Sequence, residues 1–309
     1  EVLRDQNFDA RIVGNIGNPV LLEKKVTNKT IFVVEASSYQ LEYSKLFRSN
    51  ISVILNISSD HLERHKNLKN YIKAKFKIIK NQLKEDYAIL NMNNPYIKQE
   101  IKTKKFSSKL IKIYKYLDIK FLKKINNPYF YSEGNRENLS FVFAIAKILK
   151  LKKSNLFKTL KKFKGLKYRQ QVIFKSKNLT IINDSKSTSF SSSVSILKLM
   201  SNVFWIVGGL AKKGDKFLLK KNECTNLKTY IYGKNKNTFL NQLKNIVKCE
   251  SFINLEFLIK KVFLDIKNNK DLKHKTILFS PAAASFDTFK NFEERGRYFN
   301  YLIKKNNNV

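Results

Sequence analysis

Cysteine is nearly missing from this chain, with Cys224 and Cys249 the only two in 309 residues. They stand in no metal-binding spacing and are too few for a disulfide framework, so a disulfide-stapled scaffold and a zinc ribbon are both excluded. Long apolar runs are missing as well. No stretch approaches the ~20 apolar residues a membrane-crossing helix needs. The opening EVLRDQNFDA carries no apolar h-region of a secretory signal. A soluble, cytoplasmic protein with no membrane span is expected. Acidic residues are scarce: 24 stand against 61 lysines and arginines, a formal net charge of +37. Histidine is scarce too, yet two of the three, His61 and His65, fall together just after an apolar run.

A charge of that size, taken alone, points to nucleic acid or another anionic surface. Its distribution argues otherwise. The lysines run through nearly the whole chain beside abundant Asn and Ile, as AT-rich coding would produce. Most Phe and Tyr sit inside apolar periodicities that suit a core better than a base-stacking platform. No specific nucleic-acid partner is therefore expected. A basic nucleic-acid-binding protein remains the reading from a different class, and tight, salt-dependent binding would reveal it. A basic cleft would also attract a polyanionic substrate.

At 309 residues and 43% hydrophobic content the chain can build two domains, each with its own core. Apolar runs of strand length occur at 31–35, 52–57, 87–91, 179–184, 203–209, 229–233 and 276–280. They alternate with helical patterns near 61–82, 137–150, 154–163, 188–200, 236–247, 254–268 and 286–304. That alternation predicts an α/β fold built on parallel sheets. Segment 104–133, aromatic and β-branched without a clean helical period, is expected to hold further strands. A helical pattern ends at Gly165 and a strand pattern resumes, which divides the chain into domains at 1–166 and 167–309.

Two strand ends carry chemistry. Glu35 closes IFVVE, and DHLERH, 60–65, follows SVILNI. Ligands of open α/β sheets bind at the carboxyl ends of strands, so neighbouring strands would bring a carboxylate and an imidazole together, as a divalent cation beside phosphate requires. A purely structural account also exists, in which Asp60 caps a helix and Glu63 completes a capping box. The His61/His65 spacing is not that of H-E-x-x-H, so a zinc protease is not expected.

The motifs VVEASSYQLE, ILNISSDHLERH, GNIGNPV, YIKAKFKII, NDSKSTS, VGGLAKKGDKF and SPAAASFDTFKNFEERG span essentially the whole sequence. Together, in this order, they resemble the Mur ligases, and within them the D-glutamate-adding branch. The resemblance implies a parallel-sheet ATP-binding central domain, incomplete at its amino end, followed by a Rossmann-like carboxy-terminal domain that binds the amino acid. It implies a monomeric ATP-dependent ligase of peptidoglycan synthesis, hence of cell shape and division. Such an enzyme takes UDP-N-acetylmuramoyl-L-alanine and D-glutamate as substrates and works through an acyl phosphate. ATP and Mg²⁺ are the implied cofactors. A sister Mur or folylpolyglutamate-type ligase taking a different amino acid is the nearest alternative.

By motif position the resemblance makes Glu35, His61 and a carbamylated Lys75 the catalytic Mg²⁺ ligands, with Lys73 and Lys77 solvated bystanders. A carbamate supplies the oxygen donor that an ammonium cannot. Asn15, Ser37, Ser38 and Gln40 match contacts to the muramoyl substrate. Asn135, Asn138, Arg169, Asp184 and Lys186 match nucleotide contacts, although Gly134 stands where the family usually has His, and Ser189 where it has Asn. Thr188, Lys212, Ser285 and Phe292 match the D-glutamate pocket; taken alone, Phe292 reads as one apolar position of an amphipathic helix. The family's glycine-rich phosphate loop ending G-K-[ST] is not present in these residues. The chain thus resembles an amino-terminally truncated ligase, expected to be inactive alone.

Overall fold

A computed structural model describes residues 1–198, 200–269, 271 and 273–306. The chain forms two compact units, Glu1–Phe163 and Lys164–Val309.

The first unit begins with β1 (Ala10–Gly14), β2 (Ile31–Glu35), α1 (Ser38–Tyr43) and β3 (Ile51–Ile54). Next come α2 (Leu62–His65), α3 (Leu68–Lys80), β4 (Tyr87–Asn91), α4 (Pro95–Thr103) and β5 (Lys109–Ile113). It closes on α5 (Ile119–Ile125), α6 (Glu133–Ile148) and α7 (Lys153–Lys162). All its strand pairs are parallel, and they fall into two sheets: β1-β2, and β3-β4-β5. β2 and β3, expected as neighbours, therefore do not pair with each other. Both faces of a parallel sheet are usually covered, and β4 follows that rule, with Ala88, Ile89 and Leu90 fully buried. The β1-β2 pair departs from it: Ile12, Val33 and Val34 are exposed.

The second unit comprises β6 (Gln171–Lys175), β7 (Leu179–Asn183), α8 (Phe190–Leu197), β8 (Val203–Gly208) and β9 (Leu227–Tyr232). It continues through α9 (Lys236–Leu243), β10 (Lys248–Ser251), α10 (Leu255–Asn268), β11 (Lys275–Phe279) and α11 (Phe292–Asn306). Its six strands make one sheet in the order β10-β9-β8-β11-β7-β6, parallel except for β6, which runs antiparallel to β7. β8 shows why the fold closes here. Val203, Trp205 and Val207 enter the core on one face with Phe190 and Phe239, while Phe204 and Ile206 enter the other with Tyr230 and Phe299. A period of two with every position apolar is a strand buried on both sides.

Several elements differ from the sequence pattern for local reasons. The helical stretch 61–82 is broken at Lys66, whose φ of 67° ends α2 before Asn67 caps α3. Helix α11 starts at Phe292 rather than 286, because the Asn291 side chain accepts from Glu294 N while Glu294 Oε2 accepts from Lys290 N. Segment 104–133 contains β5 as expected but also α5, whose first turn is held by Asp118 accepting from Lys120 N at 2.7 Å.

Candidate functional site

In the first unit one set of candidate residues lies at the ends of β1 and β2 and the start of α1, another around α2 and α3, and a third on α6. The turn after β1 is fixed by Gly14, whose φ is 102° and on which a Cβ would lie 2.5 Å from the Glu35 carbonyl oxygen. That close approach lets Asn15 hold Glu35 twice. Its backbone N–H donates to the Glu35 carbonyl and its Nδ2 donates to Glu35 Oε1, both at 2.8 Å. Asn15 and Glu35 are thus joined directly. Ser37 and Gln40 are joined as well, by a capping box: Ser37 Oγ accepts from Gln40 N and Gln40 Oε1 accepts from Ser37 N. Ser38 is buried, its Oγ 2.9 Å from His65 Nε2.

His61 takes a left-handed backbone with φ 53° and is itself the N-cap of α2, with no side-chain cap bond. The capping box that the alternative, structural account drew from Asp60 and Glu63 does not form; Asp60 Oδ1 accepts from His61 N instead. His61 Nδ1 lies 3.2 Å from the Tyr39 hydroxyl, and its ring packs edge-on to Tyr71 at 6.2 Å. Lys75 reaches the same tyrosine, its Nζ 5.2 Å from the Tyr71 ring centroid. Burial pushes the Lys75 ammonium below its ordinary pKa, and the negative charge of Asp60 pulls the other way. Burial likewise raises the Tyr71 phenol to about 12. Lys77 is not a solvated bystander: its Nζ donates to the Glu42 carbonyl at 2.5 Å. Sequence reading passed over Tyr39, Asp60 and Tyr71 as site neighbours. The i,i+4 spacing of Tyr71 and Lys75 was the available signal.

A divalent cation is tested here by the chemistry of the donors. Among the described residues, no three of His, Cys, Asp and Glu converge on a metal position. Glu35 and His61 therefore need a further oxygen donor. Lys75 suits that part by its chemistry, because an amine can add CO₂ and become a carbamate, and burial lowers the pKa of this one. By donor type, a carboxylate, an imidazole and a carbamate would suit a hard cation.

Asn135 and Asn138 lie on the first turns of α6. Asn135 Nδ2 donates to the Tyr129 carbonyl at 2.7 Å, whereas Asn138 is exposed.

In the second unit Asp184 is buried just past β7. Its Oδ1 accepts from Gln170 N at 3.0 Å and its Oδ2 from the Ser280 hydroxyl at 2.9 Å. Burial raises its carboxyl pKa to about 6 despite these bonds and the nearby Arg169 and Arg295 guanidiniums. Lys186 sits with its Nζ 4.1 Å from the Phe292 ring centroid, which brings a nucleotide candidate against an amino-acid candidate. Gly209, at φ 129°, lets the chain after β8 pass Ala284, whose carbonyl would lie 2.5 Å from a Cβ there. An antiparallel bridge of Leu210 with Ala284 follows, and it brings the segments bearing Lys212 and Ser285 together. Ser285 is buried; Lys212 and Thr188 are exposed. Arg295 stands in the FKNFEERG motif, but the sequence assigned it no role. Fully buried, it donates through Nε and Nη2 to the Ser185 hydroxyl and carbonyl and so secures the loop between Asp184 and Lys186.

The comparisons with known proteins bear on the same motifs. A family profile described as "Mur ligase middle domain" matches residues 12–125. A Rickettsia bellii protein named UDP-N-acetylmuramoylalanine–D-glutamate ligase is 33% identical, across 96% of this chain and 70% of its own length. The chain belongs to the Mur ligase family. A Hydrogenobaculum ligase of the same name is also 33% identical, across 96% of this chain and 72% of its own. Two solved Mur ligases from Thermotoga maritima share the fold. The UDP-N-acetylmuramate-alanine ligase MurC has a TM-score of 0.64 at 15% identity, covering 98% of this chain and 71% of its own. MurF in complex with ADP has a TM-score of 0.63 at 13% identity, covering 98% and 83%.

Proposed function

We propose that this Mur ligase chain serves the ATP-dependent addition of D-glutamate to UDP-N-acetylmuramoyl-L-alanine in peptidoglycan precursor synthesis. The observation that carries the reading is the 33% identity to a ligase of that name across 96% of the chain. The α-carboxylate of the alanyl residue is phosphorylated by ATP. The amine of D-glutamate then attacks the acyl phosphate, a tetrahedral intermediate forms, phosphate leaves and an amide remains. Residues 1–166 serve the metal and the nucleotide, and residues 167–309 the amino acid together with further nucleotide contacts. The working form is a cytoplasmic monomer; no described helix is long and apolar enough to cross a membrane.

Glu35, His61 and carbamylated Lys75 would hold Mg²⁺, which when bound neutralises charge on the transferring phosphoryl oxygens. Asn15 positions Glu35 through its amide, and Tyr39 orients His61 through its hydroxyl. With Ser37, Ser38 and Gln40, Asn15 also faces the muramoyl substrate. In the first unit Asn135 and Asn138 serve the nucleotide, as do Arg169, Asp184 and Lys186 in the second. Lys212, Thr188 and Ser285 bind the carboxylates of D-glutamate, and Phe292 walls its pocket. Support for this last group comes from the bridge between Leu210 and Ala284.

The test is a hybrid in which this chain replaces the matched portion of the Rickettsia bellii ligase. D-glutamate-dependent ADP release in the presence of UDP-N-acetylmuramoyl-L-alanine is expected. Release that responds to another amino acid and ignores D-glutamate would assign the chain to a sister step.

A further inference from the structure

A cavity of about 350 Å³ opens between the carboxyl end of α1 and the α2–α3 pair. Four cations line it, Arg64, Lys66, Lys73 and Lys77, against one carboxylate, Glu42. Glu42 Oε2 lies 3.3 Å from Arg64 Nη2, so that carboxylate is already engaged. Lys77 donates to the Glu42 carbonyl, an uncharged acceptor that leaves its positive charge standing. Lys66 and Lys73 have no ion pair among the described residues. Lys73 and Lys77 are four apart on one face of α3, and like charges at that spacing repel. The backbone adds a second mark. Lys66 takes φ 67° and ψ −41°, a conformation L residues seldom adopt, at the turn between α2 and α3, whose residues line the cavity together.

We propose that this cavity is a binding site for a small, multiply charged phosphate anion of the pyrophosphate class. Its net charge, four cations less one carboxylate, exceeds what a single phosphate group neutralises, and a diphosphate satisfies it. His65 forms the inner wall, 3% exposed. Its Nε2 bonds Ser38 Oγ, and Tyr39 stacks on its ring at 5.5 Å before reaching His61. An anion in the cavity is thus one imidazole away from Ser38 and Tyr39. The binding itself does not depend on the ligase reading.

The test titrates inorganic pyrophosphate into the ¹⁵N-labelled chain at constant ionic strength and follows the imidazole resonances of its three histidines. A saturable shift of His65 with His274 unmoved is expected. Lys66→Glu/Lys73→Glu should weaken the apparent Kd at least tenfold, and the milder Lys73→Gln at least threefold. Lys120→Glu/Lys123→Glu, an equal charge change on α5, should leave it alone. Inorganic phosphate should bind more weakly than pyrophosphate. Parallel shifts at His274, or equal weakening by the α5 pair, would show attraction to the whole basic surface and overturn the site. Single-stranded RNA displacing pyrophosphate through the same lysines would also overturn it, by making the cavity part of a polynucleotide track.

Discussion

Asparagine in place of Asp184 should change how the second unit's stability responds to pH. The carboxyl is buried, and its pKa stands at about 6 against an ordinary 3.8. A tenfold change in an ionisation constant is worth about 1.4 kcal/mol, so the protonated form is favoured on folding by roughly 3 kcal/mol. The sign follows from the raised value. Stability from this group is fully present below its unfolded pKa near 4 and is lost as pH rises through about 6. Asparagine does not ionise and loses nothing over that window. Its amide can keep both bonds: the oxygen accepts from Gln170 N, and the NH₂ donates to Ser280 Oγ, which turns its own proton toward Ser193 Oγ at 2.8 Å. Trp205, the chain's single tryptophan, is fully buried in this unit and bonds the Ser280 carbonyl, so its fluorescence reports the unfolding. Urea titrations from about pH 4.5 to pH 7.5 should show Asp184→Asn gaining on the parent by ~2 kcal/mol as pH rises, since the first part of the ~3 kcal/mol is already lost at pH 4.5. A difference independent of pH, or one shrinking toward neutrality, would refute burial as the dominant cause of the raised pKa.

In the ligase hybrid, Lys75→Ala should abolish ADP release, and an added short carboxylic acid should restore part of it by replacing the carbamate; undiminished turnover would remove Lys75 from the mechanism. Lys212→Ala should raise the D-glutamate KM at least tenfold, because a lost charged hydrogen bond costs about 1.5 to 3 kcal/mol, while the KM for the UDP substrate stays near the parent value. Phe299→Ala removes a fully buried ring stacked on Phe279 at 4.3 Å and should cost the second unit about 3 to 5 kcal/mol in urea unfolding followed by Trp205.

What the sequence determined by itself is the α/β class, the family and the long elements. YAILN, TILFS and VFWIVGG hold continuous apolar stretches at their centres, and β4, β11 and β8 form on them because a strand buried on both faces shows no alternation of polar residues there. Short or mixed pieces were hidden. β1 carries Arg11, whose guanidinium is drawn off to Asp9 and Glu23, and α1 exists through a capping box rather than an apolar stripe. Glu35, His61 and Lys75 stood out as residue types in motifs, but their surroundings did not. Only the fold could bring Tyr71 between His61 and Lys75, tie Asn15 to Glu35, or turn Lys77 from solvent to the end of α1. Tertiary structure also decided that β2 pairs with β1 and not with β3. Strand order is set by which edges meet in space, and a linear pattern of apolar residues carries the period of a strand without the identity of its neighbour.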